Sequence, residues 1–547
     1  MLKKLLNGQI NSIGAAAVLV AISSLVSRFL GIFRDRILAG QFGAGDTLDI
    51  YYAAFRIPDL IFNLLVLGAL SAGFIPVFTS LIKNTFERVR DLFLNENRKE
   101  AWELTNYILN ILGVGLIILA GLGIIFAPFV IKVISPGFSH DKQTLTAALT
   151  RIMFLSPIFL GISSVLGGVL QSFKRFFVYS LAPIFYNVGI IIGALYLVPI
   201  WGIYGLAWGV VLGAFLHMII QFPTVFSLGF RYKPAFNFKN KNVLKIGRMM
   251  VPRTLSLAIS QINLLVITII ASTLSSGSLS VFNFANNLQS FPIGIFGISF
   301  AIAAFPTLAA AAFDKKELSK NFSYVFRQIL FFIIPATVLF LTLRAQIIRV
   351  VFGTGNFDWE DTVLTMRTLG FFTLSLFAQA TIPLLVRVFY ARHNSRTPFY
   401  IGLITVVINI FLSYSIAAKM GVEGLALAFS IANIINFIIL WIVLRFEIGE
   451  MDEVRVLYSV VKLSLAAIAC GTTVQGMKLA IASFVNMDKT LGVLAQGAGS
   501  AILGIIIYLI VSAILKSEEL FDFWSSIKRR LSWKKVEAAD QGEARGI

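Results

Sequence analysis

The chain has 547 residues, of which 57% are hydrophobic and only 13% are charged, and its formal net charge is +19. A soluble chain carries about 25% charged residues, so water cannot accommodate this much apolar surface and the solvent must be lipid. A soluble globular protein is therefore excluded. Lysine and arginine lie mostly in short loops between apolar runs, which indicates membrane topology and contact with anionic lipids, and argues against a nucleic acid partner.

Cysteine and histidine are too sparse for a disulfide within the chain or for a metal site. Cys470 is the only cysteine, so no disulfide can form within the chain. His140, His217 and His393 are scattered without the spacing of metal ligands. We therefore expect no metal site.

The apolar runs predict fourteen membrane spans, because each spanning helix needs about 20 apolar residues. A polar tail at 516–547 follows the last span. In chain order the predicted spans are 10–38, 48–82, 103–133, 144–172, 177–199, 203–228, 243–273, 279–312, 321–350, 362–391, 398–418, 423–445, 455–481 and 489–515.

Positive charge is distributed unevenly between the two sides of the membrane. One set of alternate loops, together with both termini, holds roughly 28 Lys and Arg, and the opposite set holds roughly six. The positive-inside rule therefore predicts that both termini are cytoplasmic. The longest outer loops, Ser135–Gln143 and Gly353–Asp361, are short, and we expect no extracytoplasmic domain.

Two sequence patterns recur in the two halves of the chain. Gly202-Ile-Tyr-Gly-Leu-Ala opens span 6 and Gly421-Val-Glu-Gly-Leu-Ala opens span 12. Span 2 ends in Gly73-Phe-Ile-Pro-Val-Phe, and span 8 ends in Ala303-Ala-Phe-Pro-Thr-Leu. Chance similarity between glycine-rich helices is the alternative to a true repeat. A repeat of six spans gives two lobes with the same orientation, related by an axis along the membrane normal.

The predicted fold is an all-α integral membrane protein with two pseudo-symmetric six-helix lobes around a central cavity and two extra C-terminal helices. Such lobes are typical of transporters that work by alternating access. The predicted divisions are an N-lobe at 1–228, a cytoplasmic linker at 229–242, a C-lobe at 243–447, the last two helices at 448–515 and a cytoplasmic polar tail at 516–547.

Ionisable side chains inside spans cost about 2.5–3.5 kcal/mol on insertion scales, which makes them candidates for function. Arg28 lies roughly 27 Å along span 1 at the rise of an α-helix, too deep to reach the cytoplasm easily. Arg34, Asp35 and Arg36 follow near the outer end of the span. For Arg34 and Arg36 the alternative is an interfacial anchor that snorkels outward.

Spans 2 and 7 each combine a proline with an arginine. Arg56 lies about 12 Å in from the outer side and Arg253 about 15 Å in from the cytoplasmic side. Pro58 and Pro252 each free a backbone carbonyl and can bend their helices toward a cavity. Asp59 could simply neutralise Arg56 at i,i+3, and Arg253 could reach the cytoplasmic headgroups.

Together these arginines predict a cationic chamber, and guanidinium groups suit a diphosphate through bidentate charge-assisted hydrogen bonds. An exporter of cationic drugs would need cavity carboxylates, yet Asp35, Asp49 and Asp59 all lie toward outer ends. We therefore expect a large, anionic, amphipathic substrate. Further polar residues could support the site, although hydrogen bonding between helices, or snorkelling for the arginine, is the alternative. These residues are Asp35, Asp49, Asn63, Gln261, Asn263, Asn287 and Arg387.

An ordered set of motifs resembles the MurJ (MviN) lipid II flippase family of the multidrug/oligosaccharidyl-lipid/polysaccharide (MOP) exporter superfamily. The resemblance covers nearly the whole chain. The motifs are Ser27-Arg-Phe-Leu-Gly-Ile-Phe-Arg-Asp35, Phe42-Gly-Ala-Gly45 with Asp49, Ile57-Pro58, Pro252-Arg253, Gln261-Ile-Asn263, Phe291-Pro292 and Arg387-Val-Phe-Tyr-Ala391.

The resemblance implies a transporter and not an enzyme. It implies that Arg28, Arg34 and Arg253 bind the diphosphate of lipid II, and that the last two helices frame a groove for the polyprenyl tail. It places the protein in the bacterial plasma membrane among membrane lipids, with other cell-wall synthesis proteins as potential partners. No cofactor is implied. Membrane potential and a coupling cation such as Na⁺ both stay open as energy sources.

The sequence also departs from the family. Several members carry arginines after the proline of helix two and in helix eight, where this chain has Asp59-Leu-Ile-Phe-Asn63 and Ala285-Asn-Asn-Leu-Gln289. Three other functions stay open beside lipid II translocation. They are export of another polyprenyl-diphosphate glycan (O-antigen, teichoic acid or capsule precursor), a membrane glycosyltransferase or polymerase, and a non-transporting cell-wall scaffold.

Overall fold

The computed structural model describes residues 13–67, 73–87, 92–525 and 528, and all regular secondary structure within them is helical. The start of predicted span 1, residues 68–72 of span 2 and most of the polar tail lie outside these residues. Large apolar side chains face outward, such as Ile125 and Phe129 at 69% and 68% exposure. A helix with such a surface is stable in lipid. The predicted all-α, multi-pass membrane fold is confirmed.

Twenty α-helices make up the described chain, and three π-helical stretches, Phe62–Leu67, Gly193–Leu197 and Ile293–Ile298, interrupt them. Residues 518–525 are also helical. The helices are α1 (Ile13–Phe42), α2 (Asp46–Ile61), α3 (Ile75–Glu87), α4 (Leu92–Ile134), α5 (His140–Met153), α6 (Leu155–Ser172), α7 (Phe176–Ile192), α8 (Val198–Trp201), α9 (Tyr204–Ile219), α10 (Phe222–Ser227), α11 (Lys241–Ser272), α12 (Ser278–Pro292), α13 (Ser299–Ala310), α14 (Lys315–Thr342), α15 (Arg344–Val351), α16 (Trp359–Thr373), α17 (Leu376–Ala391), α18 (Arg396–Ile448), α19 (Glu453–Ala482) and α20 (Thr490–Ile514).

Helix occupies the described part of every predicted span. Among the described residues, nine helical stretches are long and apolar enough to cross a membrane, and α16 with α17, bent by 45°, can form a tenth. One of the nine is α18, which runs through predicted spans 11 and 12 with a break at Gly421. The structure is therefore consistent with fourteen spans, and that number stays a prediction.

The two predicted repeats share local backbone features. Gly202 (φ 57, ψ −144) and Gly421 (φ 61, ψ −141) adopt nearly the same conformation, which is essentially restricted to glycine. In spans 2 and 8, a π-helical stretch follows soon after Pro58 and Pro292, respectively. A π-helical stretch is uncommon and often marks a functional site, so its recurrence supports the repeat.

The described residues form two compact units. The first unit contains the chain up to Phe284, with Val351–Asp361 and Ile410–Leu425. Within it, α7 and α9 approach closely through small residues, since a Cβ on Gly189 would lie 2.3 Å from the Cα of Gly213. Small residues at helix contacts let backbones pack tightly in membranes, and this contact fixes α7 in the unit.

The second unit contains Ala285–Val350, Thr362–Asn409 and the described residues from Ala426 onward. Near the end of the chain it holds a set of charges that we call the C-terminal ion cluster, formed by Arg327, Arg455, Glu518 and Glu519. Arg327 Nη1 donates to Glu519 at 2.7 Å and to Glu518 at 3.0 Å. Arg455 Nη2 donates to Glu518 at 2.7 Å. These bonds hold the segment after α20 against α14 and α19.

Both carboxyl groups of this cluster have a lowered pKa. Burial raises the pKa of Glu519, but hydrogen bonds from Ser459 and Ser517 and the charge of Arg327 lower it by more, so the pKa lies below the usual glutamate value. For Glu518, burial likewise raises the pKa and its arginine partners lower it by more. Both groups therefore favour the folded state in their ionised form.

Candidate functional site

Arg34 on α1 is held by two partners in the first unit. Its Nε and Nη2 donate to Oδ1 of Asp35 at 3.0 and 2.7 Å, and its Nη1 donates to Oδ1 of Asn187 on α7 at 3.1 Å. The Arg34 side chain is 20% exposed, whereas Asp35 is buried. A guanidinium has five N–H groups, so two remain for a further acceptor. The arrangement orients the cation and leaves part of it available to a ligand.

The depth of Arg34 differs from the prediction. Asn187 lies roughly 16 Å along the helical stretch Phe176–Trp201, which is about 39 Å long at the rise of an α-helix. Arg34, which the sequence placed near the outer end of its span, is thus bonded to the middle of a neighbouring one. This position argues against an interfacial anchor, because a snorkelling side chain ends at the headgroups.

Two tyrosines of α2 lie beside this arginine. The rings of Tyr51 and Tyr52 meet edge to face with centroids 5.3 Å apart. The Tyr52 hydroxyl is buried and has no hydrogen-bond partner among the described residues. It lies close enough to Arg34 and Arg56 to feel both charges. Its hydroxyl is therefore a buried hydrogen-bond donor beside the two arginines.

Arg56 on α2 directs its guanidinium to neutral oxygens. Its Nε donates to Thr268 Oγ1 at 2.9 Å and its Nη2 to Asn283 Oδ1 at 3.4 Å. Asp59 makes no hydrogen bond with Arg56 among the described residues. Its carboxylate still acts on the charge of Arg56, so the alternative in which Asp59 neutralises Arg56 stays open.

Asp49 has a structural role that the sequence did not indicate. Its carboxylate accepts hydrogen bonds from the backbone N–H groups of Gly277 and Ser280, both at 2.8 Å, and from the Ser280 hydroxyl at 2.6 Å. These donors lie at the start of α12, where a negative charge stabilises the helix dipole. Asp49, expected to support the substrate site, thus anchors α2 to the start of α12.

The other predicted residues take part in none of the hydrogen bonds just described. Arg28 is exposed on α1, and Arg36 donates to the Val351 carbonyl at 3.1 Å. Arg253 lies within α11, but its side chain is outside the described residues. Gln261 and Asn263 are half-buried further along α11. The second unit holds a half-buried Asn287 on α12 and Arg387, whose Nη1 donates to the Pro383 carbonyl of its own helix at 3.1 Å.

Three partners of the arginines escaped the sequence reasoning. Asn187 and Thr268 each sit in an apolar run as a single polar residue, and Asn283 lies in a stretch with several other polar residues. Nothing in spacing alone distinguishes the three from residues that bond their own helix. The one available signal was for Asn187, since an amide in the middle of a span is costly without a partner. Which arginine it would meet depends on how α1 packs against α7.

Comparison with known proteins adds to this geometry. The family model described as "Lipid II flippase MurJ" matches residues 38–494. A "Probable lipid II flippase MurJ" of Buchnera aphidicola subsp. Baizongia pistaciae is 30% identical over 431 residues, covering 77% of this chain and 81% of the relative. The chain belongs to the MurJ family. Its predicted family and its assignment to transporters and not enzymes are confirmed.

Solved structures agree with this MurJ-family assignment. A structure titled "Lipid II flippase MurJ, inward closed conformation" aligns with a TM-score of 0.72 and 26% identity, covering 91% of this chain and 98% of that one. An inward-facing multidrug-resistance MATE transporter of the MOP superfamily aligns with a TM-score of 0.63 at 16% identity, covering 80% and 99%. The second likeness concerns the fold alone.

Proposed function

We propose that this MurJ-family chain translocates lipid II, the undecaprenyl-diphosphate-linked muropeptide, from the inner to the outer leaflet of the bacterial plasma membrane by alternating access. The family match over most of the helical chain carries this proposal. The buried arginines make it chemically reasonable, because charge-assisted bonds from guanidinium groups are suited to a diphosphate.

Within this function, we assign the diphosphate to Arg34 and Arg56, with Arg28 and Arg253 as further cations. Arg34 has two N–H groups left after its bonds to Asp35 and Asn187. The partners of Arg56 are neutral, so an incoming anion does not have to displace a carboxylate.

We also propose that both termini are cytoplasmic. The asymmetry of Lys and Arg between the two sets of loops supports this orientation through the positive-inside rule. A coupling cation, contact with other cell-wall synthesis proteins and a groove for the polyprenyl tail at the last two helices stay predictions. The two-lobe division at 228 and 243 likewise stays a prediction.

The function is tested in cells depleted of the protein and complemented with variants. The measurement is whether lipid II in intact cells is cleaved by an externally added degrading enzyme. Wild-type protein should restore cleavage, Arg34→Ala should not, and Arg34→Lys should restore little, because lysine lacks the planar fork. Arg231→Ala, an exposed loop residue, serves as the matched control and should restore cleavage fully.

The outcomes separate the alternatives. If depletion leaves lipid II accessible and another polyprenyl-linked glycan accumulates, the cargo assignment is wrong while the transporter assignment survives. If Arg34→Ala complements as well as wild type at equal expression, the arginine site is wrong.

A further inference from the structure

Two cavities of the second unit are stacked between the same helices. The first is an apolar groove of about 540 Å³ between α14, α17, α18 and α19, and the second is a charged basin of about 620 Å³ at the start of α14 and α19. The groove is lined by Phe326, Leu330, Phe377, Phe437, Trp441 and Val460. The basin is lined by Lys315, Lys316, Lys320, Glu450, Asp452 and Arg455.

The two cavities occupy neighbouring positions along both of their shared helices. On α19, Arg455 lines the basin and the next residue, Val456, lines the groove. On α14, Lys320 of the basin and Phe326 of the groove are six residues apart, about 9 Å at the rise of an α-helix. A charged pocket beside an apolar groove matches the two parts of a membrane lipid. Of the last two helices only α19 lines these cavities, and no residue of α20 does, so the groove is not enclosed by that pair of helices as the predicted one is.

The charges of the basin define the headgroup. Four cations face two carboxylates, and Lys315, Lys316 and Lys320 are exposed with no side-chain hydrogen bond or ion pair among the described residues. An ammonium group that is free to move binds a phosphodiester well. Glu450 is exposed at the same basin and can accept hydrogen bonds from hydroxyl groups of a headgroup.

The lipid also has a path into the groove. Ile438 and Ile442 of α18 line the groove and are 46% and 47% exposed. Thr337 and Ser464 are the only polar residues of the described groove lining apart from the indole N–H of Trp441. A chain entering from the bilayer therefore meets apolar surface throughout most of its length.

We propose that the basin and groove form a binding site for one anionic phospholipid of the cytoplasmic leaflet. The lysines of α14 hold the phosphodiester, Glu450 receives headgroup hydroxyls as in a glycerol headgroup, and an acyl chain lies in the groove against Trp441. Arg455 connects this site to the C-terminal ion cluster through its bond to Glu518. The proposal takes from the proposed function only the orientation of the lysine-rich end.

Trp441 provides a reporter inside the groove. The full-length protein is reconstituted in phosphatidylcholine vesicles with a small, equal fraction of either phosphatidylglycerol or phosphatidylcholine carrying brominated acyl chains. The contribution of Trp441 is the difference in fluorescence quenching between wild type and Trp441→Phe. We expect several-fold stronger quenching of Trp441 with the brominated phosphatidylglycerol.

Two matched pairs of variants test the two halves of the site. Lys315→Ala/Lys316→Ala/Lys320→Ala should remove the preference for phosphatidylglycerol, while Lys233→Ala/Lys239→Ala/Lys241→Ala, three exposed lysines of the first unit, should keep it. Val460→Phe should fill the groove and abolish Trp441 quenching. Val461→Phe, on the neighbouring residue that is 50% exposed outside the groove, should leave it unchanged.

Several results would overturn the proposal. One is equal quenching by the two brominated lipids, which would mean that bulk lipid fills the groove. Another is a preference that survives the α14 triple variant. A third is relief of quenching by equimolar undecaprenyl diphosphate but not by inorganic phosphate, which would identify the substrate as the occupant. Lipid II translocation is read separately in cells, so failure of this site and failure of the proposed function are distinguishable.

Discussion

Removal of the Asn187 side chain tests whether the diphosphate site depends on a residue that positions Arg34 from a neighbouring helix. In Asn187→Ala, Arg34 loses its Nη1 acceptor at 3.1 Å but keeps both bonds to Asp35. A hydrogen bond to a charged group is worth about 1.5–3 kcal/mol, and 1.4 kcal/mol corresponds to tenfold in affinity. If that energy fixes the guanidinium for the ligand, affinity for undecaprenyl diphosphate should fall roughly ten- to a hundredfold.

A second substitution at position 187 distinguishes a positioning role of Asn187 from a purely structural one. Asn187→Asp places a carboxylate next to Arg34, which satisfies the guanidinium but competes with an anionic ligand. It should bind undecaprenyl diphosphate more weakly than Asn187→Ala, although the ion pair is retained. A purely structural role for Asn187 predicts the reverse order.

Binding of undecaprenyl diphosphate to the purified variants is measured together with the thermal unfolding midpoint. Asn433→Ala is the control, because its amide donates only to the Phe429 carbonyl of its own helix at 2.8 Å, and it should bind as wild type. The positioning role of Asn187 is refuted if Asn187→Ala binds undecaprenyl diphosphate as tightly as wild type, or if Asn433→Ala loses as much affinity as Asn187→Ala.

Three further predictions concern stability and are read from denaturant unfolding in mixed micelles. Glu519→Gln leaves Arg327 buried without its nearest carboxylate and should lower the free energy of unfolding by about 3–5 kcal/mol. Because the pKa of Glu519 is lowered in the fold, the wild type should hold this stability above about pH 4.3 and lose it as pH falls further. A variant whose free energy of unfolding falls as steeply with acid as that of the wild type would contradict this. Gly277 has φ +85, and in Gly277→Ala the new Cβ would lie 1.8 Å from a backbone oxygen. Backbone strain alone costs about 1–3 kcal/mol, and this clash should make the loss of stability larger. In Gly202→Ala and Gly421→Ala the new Cβ meets open space, so each substitution should cost only the backbone strain. Clearly unequal losses of stability between the two variants would count against the repeat.

The sequence alone determined the membrane class, the helical nature of the apolar runs within the described residues, and the family. These properties follow from local composition, because about 20 apolar residues in a row have one stable arrangement in lipid. The repeated Gly202 and Gly421 motifs were also visible, since a conformation restricted to glycine leaves a mark in the sequence. Arg34 and Arg56 were identified because a charge within a span is costly wherever the helix packs.

Only the tertiary structure decided what those charges contact. Arg34 meets Asn187 because α1 packs on α7, and Arg56 meets Thr268 and Asn283 because α2 lies beside α11 and the start of α12. Asp49 was expected near the substrate and instead anchors the start of α12. Apolar helix faces pack by shape, and their sequence patterns are nearly interchangeable. Which polar residues meet across a contact therefore depends on the depth and rotation of each helix. All of the neighbouring helices together set this depth and rotation.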